Sequence, residues 1–456
     1  MSATETWTLG ELAKALGCEC PIDTASRVES ITTDSRKLAS GQVFVALLGE
    51  RFDGHEFISR ARETGALAAV VSRRVDDPLP QLMVPDTRLA LGLLGQARRL
   101  AWGRPLTAIT GNSGKTTVKE ILAALLATQG PVLATRGNLN NDIGAPLTLL
   151  ELTSRHRQAV VELGANHLGE IAWTCALAKP NVAVITNVTG AHVGEFGGLG
   201  NIAQAKGEIL CGLAASGVAV LNRDDRFFPF WRRLAGSHEV LDFGFDEKAR
   251  LRGSNLVCDA LGRYAVTLHH DGRCLGRVQL ALMGRHNVAN VLAASAAALA
   301  MGLSADALAE ALAKVEPLSG RLSLVEGIRH TRLLDDTYNA NPGAVKAALD
   351  LLAALPAPRW CLLGAMGELG DEAASLHAEI GHHARCLGID FLGTLGEPAR
   401  SASGAFGDNG HHFDDWEALA RHARDHLPAG ASVLVKGSRS AGMERLIEAL
   451  RCDGSR

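Results

Sequence analysis

The sequence predicts a three-domain α/β protein. A small α/β domain comes first, then a mainly parallel P-loop-type sheet covered by helices, then a second, Rossmann-like open sheet. Three observations carry that prediction. The chain has 456 residues, and at about 150 residues per domain that length favours three domains. Apolar strand-like runs alternate with helix-patterned segments through the middle and last parts, as parallel sheets with crossover helices require. Gly103-Arg104-Pro105 and Pro317-Leu318-Ser319-Gly320 interrupt the alternation, dividing the chain into 1–104, 105–316 and 317–456.

The first piece mixes short strand-like runs, Val43 to Leu48 and Ala66 to Val71, with a helical stretch from Glu56 to Thr64. Polar residues from Ser72 to Pro80 read as a loop. The second piece opens with an apolar strand, Leu106 to Thr110, a Gly-rich turn and a helix. On that helix Val118, Ile121, Leu122, Leu125 and Leu126 follow the spacing of one buried face. Further strand-like runs are Ala159 to Leu163, Val182 to Ile185 and Val218 to Leu221. From about Gly253 to Leu282 the pattern becomes alternating short strands, which predicts an antiparallel patch before a helix starts near Asn287. The third piece repeats strand and helix: Arg332 to Asp335, Gly343 to Ala354, Trp360 to Leu363, then Phe391 to Leu395 and Ser432 to Val435. A last helix carries Met443, Leu446, Ile447 and Leu450. Ligands of open sheets bind at strand carboxyl ends, so the two larger pieces should face each other across a cleft.

Composition narrows the function. The chain is 47% apolar and 21% charged, with 46 Lys plus Arg against 49 Asp plus Glu and a net charge of −3. That is ordinary globular usage, without the basic footprint of a nucleic-acid binder. The opening MSATETWTLGELAKALG does not read as a secretory signal. The most apolar stretch, Val291 to Leu303, is too short to span a bilayer. Nine scattered cysteines, an odd number, point to reduced thiols and the cytoplasm. Cys18-Glu-Cys20 has no partner pair, so no zinc site is expected.

The sharpest chemical signal is Gly111-Asn112-Ser113-Gly114-Lys115-Thr116-Thr117, between the apolar strand and the amphipathic helix. Phosphate binding needs converging backbone N–H groups, a helix N-terminus behind them and a nearby cation. Gly111 and Gly114 allow the turn, Lys115 supplies charge, and Thr116 offers a hydroxyl to magnesium. Ile109 replaces the first glycine of the usual pattern, so the loop is a shortened one. Glu162 ends a strand of the same sheet, where a carboxylate suits a hard cation. His192 follows another strand and reads equally well as a ligand or as a structural residue. Lys206 on its own reads as a solvated helix lysine. The Asn138, Asn140, Asn141 run reads either as a substrate grip or as turn chemistry. Lys436-Gly437-Ser438-Arg439, between a strand and a helix, reads as phosphate-friendly or as an ordinary turn. A P-loop nucleotide-binding switch also fits this loop, and it gives no role to Glu162, His192 or Lys206.

Taken together, Gly-x-x-Gly-Lys-Thr-Thr, Gly137-Asn138-Leu139-Asn140-Asn141-Asp142-Ile143-Gly144, Glu162-Leu163-Gly164, Gly284-Arg285-His286-Asn287-Val288-Ala289-Asn290 and Lys436-Gly437-Ser438-Arg439 resemble the Mur ligase family. Thr33-Asp34-Ser35-Arg36 and Asp53-Gly54-His55 extend the resemblance through the first piece. The Asn-rich box and Asp336-Thr337-Tyr338-Asn339-Ala340-Asn341-Pro342 resemble the member that adds the final dipeptide. One departure is Ala365, where the family usually carries Asp.

The resemblance implies an ATP-dependent amide ligase acting on UDP-N-acetylmuramoyl-tripeptide and D-alanyl-D-alanine through an acyl phosphate. It implies that Gly111 through Thr117 hold the ATP phosphates, with Lys115 catalytic. Thr116, Glu162, His192 and a carbamylated Lys206 would hold magnesium, His192 and Lys206 also serving catalysis. Asn287 and Asn290 would meet the adenine side, and Arg321 and Asp336 the phosphates and ribose. Ser35 and Arg36, with Asn138, Asn140, Asn141 and Asp142, would meet the substrate. A monomer without nucleic-acid partners is expected.

Overall fold

The structure, a computed structural model, describes residues 7–49, 52–188 and 196–452. Three main sheets follow one another along the chain. The first has four short parallel strands in the order Ile31–Thr32, Val43–Val45, Ala68–Val71, Gln81–Met83. The helix Thr87–Trp102 leaves this sheet, capped by Asp86 at one end and by Gly103 at the other. Its Arg99 reaches the carbonyls of Ala178 and Lys179, fastening the first piece to the second.

The central sheet has nine strands. Its parallel part runs Glu239–Gly244, Val218–Asn222, Val182–Ile185, Leu106–Thr110, Gln158–Glu162, Val132–Ala134. Leu106–Thr110 is buried throughout, with Ile109 in one hydrophobic cluster and Leu106 and Ala108 in the other, as strand alternation demands. On one face lie the helices Lys115–Ala127 and Arg285–Ala300. Val118, Ile121, Leu122, Leu125 and Leu126 all enter that core. Helices on the other face complete the two-sided cover that parallel sheets require. The expected antiparallel patch is present as a meander, Leu251–Cys258, Arg263–His270 and Arg273–Met283.

The third sheet orders its six strands Ser323–Gly327, Thr331–Asp336, Ser432–Lys436, Arg359–Gly364, Phe391–Leu395, Gly410–Phe413. All pairs are parallel except the first, so the sheet is mixed. The antiparallel edge strand Ser323–Gly327 is an addition to the expected strand–helix repeat. It alternates half-buried with exposed residues and so lacks an apolar run. Among the described residues no helix is long and apolar enough to cross a membrane. No disulfide joins any of the nine cysteines.

Candidate active site

The carboxyl ends of the central strands meet the third sheet around a cavity of about 320 Å³. Residues 112–117 of the Gly-rich loop line one wall, with Asn138, Asn140, Glu162, Asn287 and Asn290. Arg321, Asp336, Tyr338, Asn341 and Lys436 line the other. The two walls touch where Asn341 Nδ2 donates to Ser113 Oγ at 3.2 Å.

Local conformation explains the loop's glycines. Gly111 and Gly114 have φ of 144° and 81°, values that favour glycine. A Cβ would lie 1.9 Å from Thr186 Oγ1 at Gly111 and 2.3 Å from Asn290 Oδ1 at Gly114. The loop hangs from the end of the neighbouring strand: Asn112 N–H donates to the Asn187 carbonyl and Ser113 N–H to Asn187 Oδ1. Gly114 then caps the helix that begins at Lys115, leaving the first-turn N–H groups without helical acceptors. Lys115 Nζ folds back onto the carbonyls of Gly111 at 2.8 Å and Asn112 at 3.3 Å. Burial pushes this ammonium below the ordinary lysine range, and Arg321 adds to the effect while Glu162 and Glu368 oppose it.

Glu162 is 2% exposed and held on every side. Thr116 Oγ1 donates to one carboxylate oxygen at 2.9 Å and Asn140 Nδ2 to the other at 2.8 Å. Its own N–H donates to Thr135 Oγ1 at 3.0 Å. Among the described residues no three His, Cys, Asp or Glu side chains converge as a metal cage. A hydroxyl and a carboxylate facing an open cavity are instead the oxygen donors a hard cation takes, with phosphate and water filling its other positions.

Lys206 corrects the reading taken from its local sequence. It is 2% exposed, with Nζ 3.5 Å from the Ala165 carbonyl and 5.4 Å from the Phe196 ring centre. Burial first, and then the charge of Lys115, bring its amine down to about 7. An amine at that value has a substantial neutral fraction near pH 7, the form that reacts with carbon dioxide. His192 lies outside the described residues.

Across the cavity, the Arg321 guanidinium stacks 4.0 Å from the Tyr338 ring centre. Asp336 accepts from Lys436 Nζ at 2.5 Å, and the same ammonium donates to the Asn339 carbonyl at 2.9 Å. Asn290 Nδ2 donates to Asn287 Oδ1, and Asn287 Nδ2 to the Met283 carbonyl, which fixes both amides at the helix start. His286 stands beside them, its imidazole pushed down by burial against the opposing charge of Asp336.

Several expected substrate residues lie elsewhere. Asn141 Oδ1 accepts the N–H of Gly144 at 2.8 Å and so makes a turn. Asp142 pairs with Arg88 of the first piece. Ser35 and Arg36 stand on a separate turn, where Arg36 pairs with Asp34 at 2.9 Å. His286, Tyr338 and Asn341 line the cavity without having been given a role, and Asn222 without having been named. Asn222 closes a parallel strand at its carboxyl end, the one signal that points to it.

Three family models match the chain: Mur ligase family, catalytic domain, over 27–97; Mur ligase middle domain over 109–298; and Mur ligase, glutamate ligase domain, over 320–439. The UDP-N-acetylmuramoyl-tripeptide–D-alanyl-D-alanine ligase of Escherichia coli is 42% identical over 94% of this chain and 95% of its own. The ligase of the same name from Haemophilus influenzae is 39% identical, covering 97% of each chain. Among solved structures, MurF from Acinetobacter baumannii superposes with a TM-score of 0.91 at 38% identity, covering 97% of this chain and 98% of its own. MurF ligase from Thermotoga maritima in complex with ADP gives 0.82 at 29% identity, over 92% and 96%.

Proposed function

The chain belongs to the Mur ligase family, and from that premise we propose that it joins D-alanyl-D-alanine to UDP-N-acetylmuramoyl-tripeptide in an ATP-driven amide ligation. The product is the pentapeptide precursor of peptidoglycan. The observation that carries the reading is the meeting of the Gly111–Thr117 loop and the Arg321–Asp336 wall around one cavity. On this reading 1–104 binds the uridine-nucleotide substrate through Ser35 and Arg36, 105–316 binds ATP, and 317–456 closes the site. Asn138 and Asn140 line the same cavity, Asn140 beside Glu162. On this reading the protein works in the cytoplasm as a monomer.

A carboxylate is a poor electrophile, so the peptide carboxylate first takes the γ-phosphoryl group of ATP, giving an acyl phosphate and ADP. The dipeptide amine then attacks the acyl carbon and phosphate leaves. Lys115 would exchange its loop carbonyls for phosphate oxygens, and the helix N-terminus would add backbone donors. Thr116, Glu162, His192 and the carbamate of Lys206 would hold magnesium. Bound there, magnesium supplies positive charge against the charge of the transferred group. Asn287 and Asn290 would orient the base, and Arg321 and Asp336 the phosphates and ribose. The Asn341–Ser113 contact holds the opposite wall against the loop, an arrangement that would shelter the acyl phosphate from water.

The test is product mass with each substrate omitted in turn. A pentapeptide product and phosphate release that need both substrates are expected. ATP hydrolysis indifferent to both would move the chain to the P-loop switch class.

A further inference from the structure

Among the described residues of the central piece two lysines are fully buried, and the chemistry above uses only Lys206 of the two. The other is Lys119, whose side chain is 0% exposed. It lies one helical turn past Lys115 and three residues past Thr116, spacings that share a helix face. Its Nζ donates to the Thr135 carbonyl at 2.5 Å and lies 2.7 Å from Glu120 Oε1, on a side chain 38% exposed. Taking an ammonium out of water is unfavourable, and an apolar chain of similar volume would fill the space without that penalty. The charge therefore has a use in what it holds.

It holds Thr135, the residue just past the strand Val132–Ala134 and 1% exposed. Thr135 N–H donates to the Val160 carbonyl, and Thr135 Oγ1 accepts the Glu162 N–H at 3.0 Å. The loop that leaves Thr135 carries Asn140, whose amide holds one Glu162 oxygen at 2.8 Å. Thr116, on the helix that carries Lys119, holds the other oxygen at 2.9 Å. One ammonium thus fixes the residue that anchors the Glu162 backbone and starts the loop that orients its carboxylate.

We propose that Lys119 and Thr135 form a positioning relay that sets the Glu162 carboxylate between Thr116 and Asn140 and so tunes its affinity for a divalent cation. The inference rests on Glu162 being a cation ligand, as proposed above. Partners that orient a metal-binding carboxylate typically change metal affinity by about 10–100-fold. A purely structural staple would instead change thermal stability and leave cation affinity alone.

The test is a magnesium titration of fluorescent, non-hydrolysable ATP analogue binding to the full chain. Wild type, Lys119→Met, Thr135→Val, Thr135→Ser and Glu162→Gln are compared. Lys119→Met and Thr135→Val should raise the half-saturating magnesium concentration about ten-fold or more. Thr135→Ser, which keeps the acceptor, should restore it, and magnesium-free nucleotide affinity should stay at the wild-type level. The Thr135 pair decides the matter if Lys119→Met does not fold. Thr135→Val with wild-type magnesium dependence, while Glu162→Gln loses it, would overturn the relay alone. Equal dependence in wild type and Glu162→Gln would overturn the ligand assignment and the relay with it.

Discussion

Lys115→Met removes one ammonium while keeping a side chain of similar length. That ammonium makes two hydrogen bonds, to Gly111 and Asn112 carbonyls at 2.8 and 3.3 Å. Each is worth about 0.5–1.5 kcal/mol net, and the desolvation that lowers the Lys115 pKa offsets part of it. The unliganded variant should therefore lie within about 2 kcal/mol of wild type, a melting shift of at most roughly 4–8 °C. Turnover should fall much further. Losing one preorganised donor to developing charge costs about 2.7–4 kcal/mol, on the order of 10²–10³ in rate, and a full positive charge belongs at or above the top of that range. Phosphate release at saturating ATP, alongside thermal unfolding of the unliganded chain, measures both quantities. A folded variant turning over within ten-fold of wild type would refute the placement of Lys115 at the transferred phosphate.

Lys206→Ala should lose activity and regain part of it with added acetate or formate, which can occupy the place of the carbamate; no rescue at any concentration would remove the carbamate assignment. In carbon dioxide-free buffer the folded chain holds the Lys206 amine near 7, against 10.5 for an ordinary lysine. Between those values the unfolded chain binds the extra proton, so stability rises as pH climbs from about 7 and the penalty is full below it. Lys206→Met should then stabilise the chain at pH 6 by up to roughly 5 kcal/mol and far less at pH 10.5; denaturant melts giving the same change at both pH values would contradict the burial argument. Gly114→Ala places a Cβ 2.3 Å from Asn290 Oδ1 at a φ of 81°. The left-handed backbone alone costs roughly 1–2 kcal/mol, so nucleotide affinity should fall at least ten-fold by fluorescence titration, and unchanged affinity would count against the loop geometry.

The P-loop was legible because its evidence is local: two glycines, a lysine and two threonines between an apolar strand and a helix with one apolar face. The four inner strands of the parallel core were legible because their buried runs are continuous, but Ser323–Gly327 was not, its exposed alternate residues hiding it. What the sequence conceals is burial reached over long range. Lys206 looks solvated on its short helix until Ala165 and Phe196 are seen to cover it. Lys119 gives no hint of itself, because its partner Thr135 stands past the end of a strand, 16 residues further along the chain. Asn141 and Asp142 stand with Asn140 in one Asn-rich box of the sequence. The backbone turns them apart, one into a turn and one toward Arg88, while only Asn140 reaches Glu162. The Asn341–Ser113 contact joins residues 228 positions apart, a distance no local pattern bridges.

Activation of the peptide carboxylate by phosphoryl transfer is the centre of the account, and oxygen-18 tracing tests it most directly. UDP-N-acetylmuramoyl-tripeptide labelled in its reacting carboxylate is turned over with ATP and D-alanyl-D-alanine, and the released phosphate is weighed by mass spectrometry. One labelled oxygen in each phosphate, matched to pentapeptide formed, is the predicted result. Unlabelled phosphate, or label carried into AMP, would contradict it.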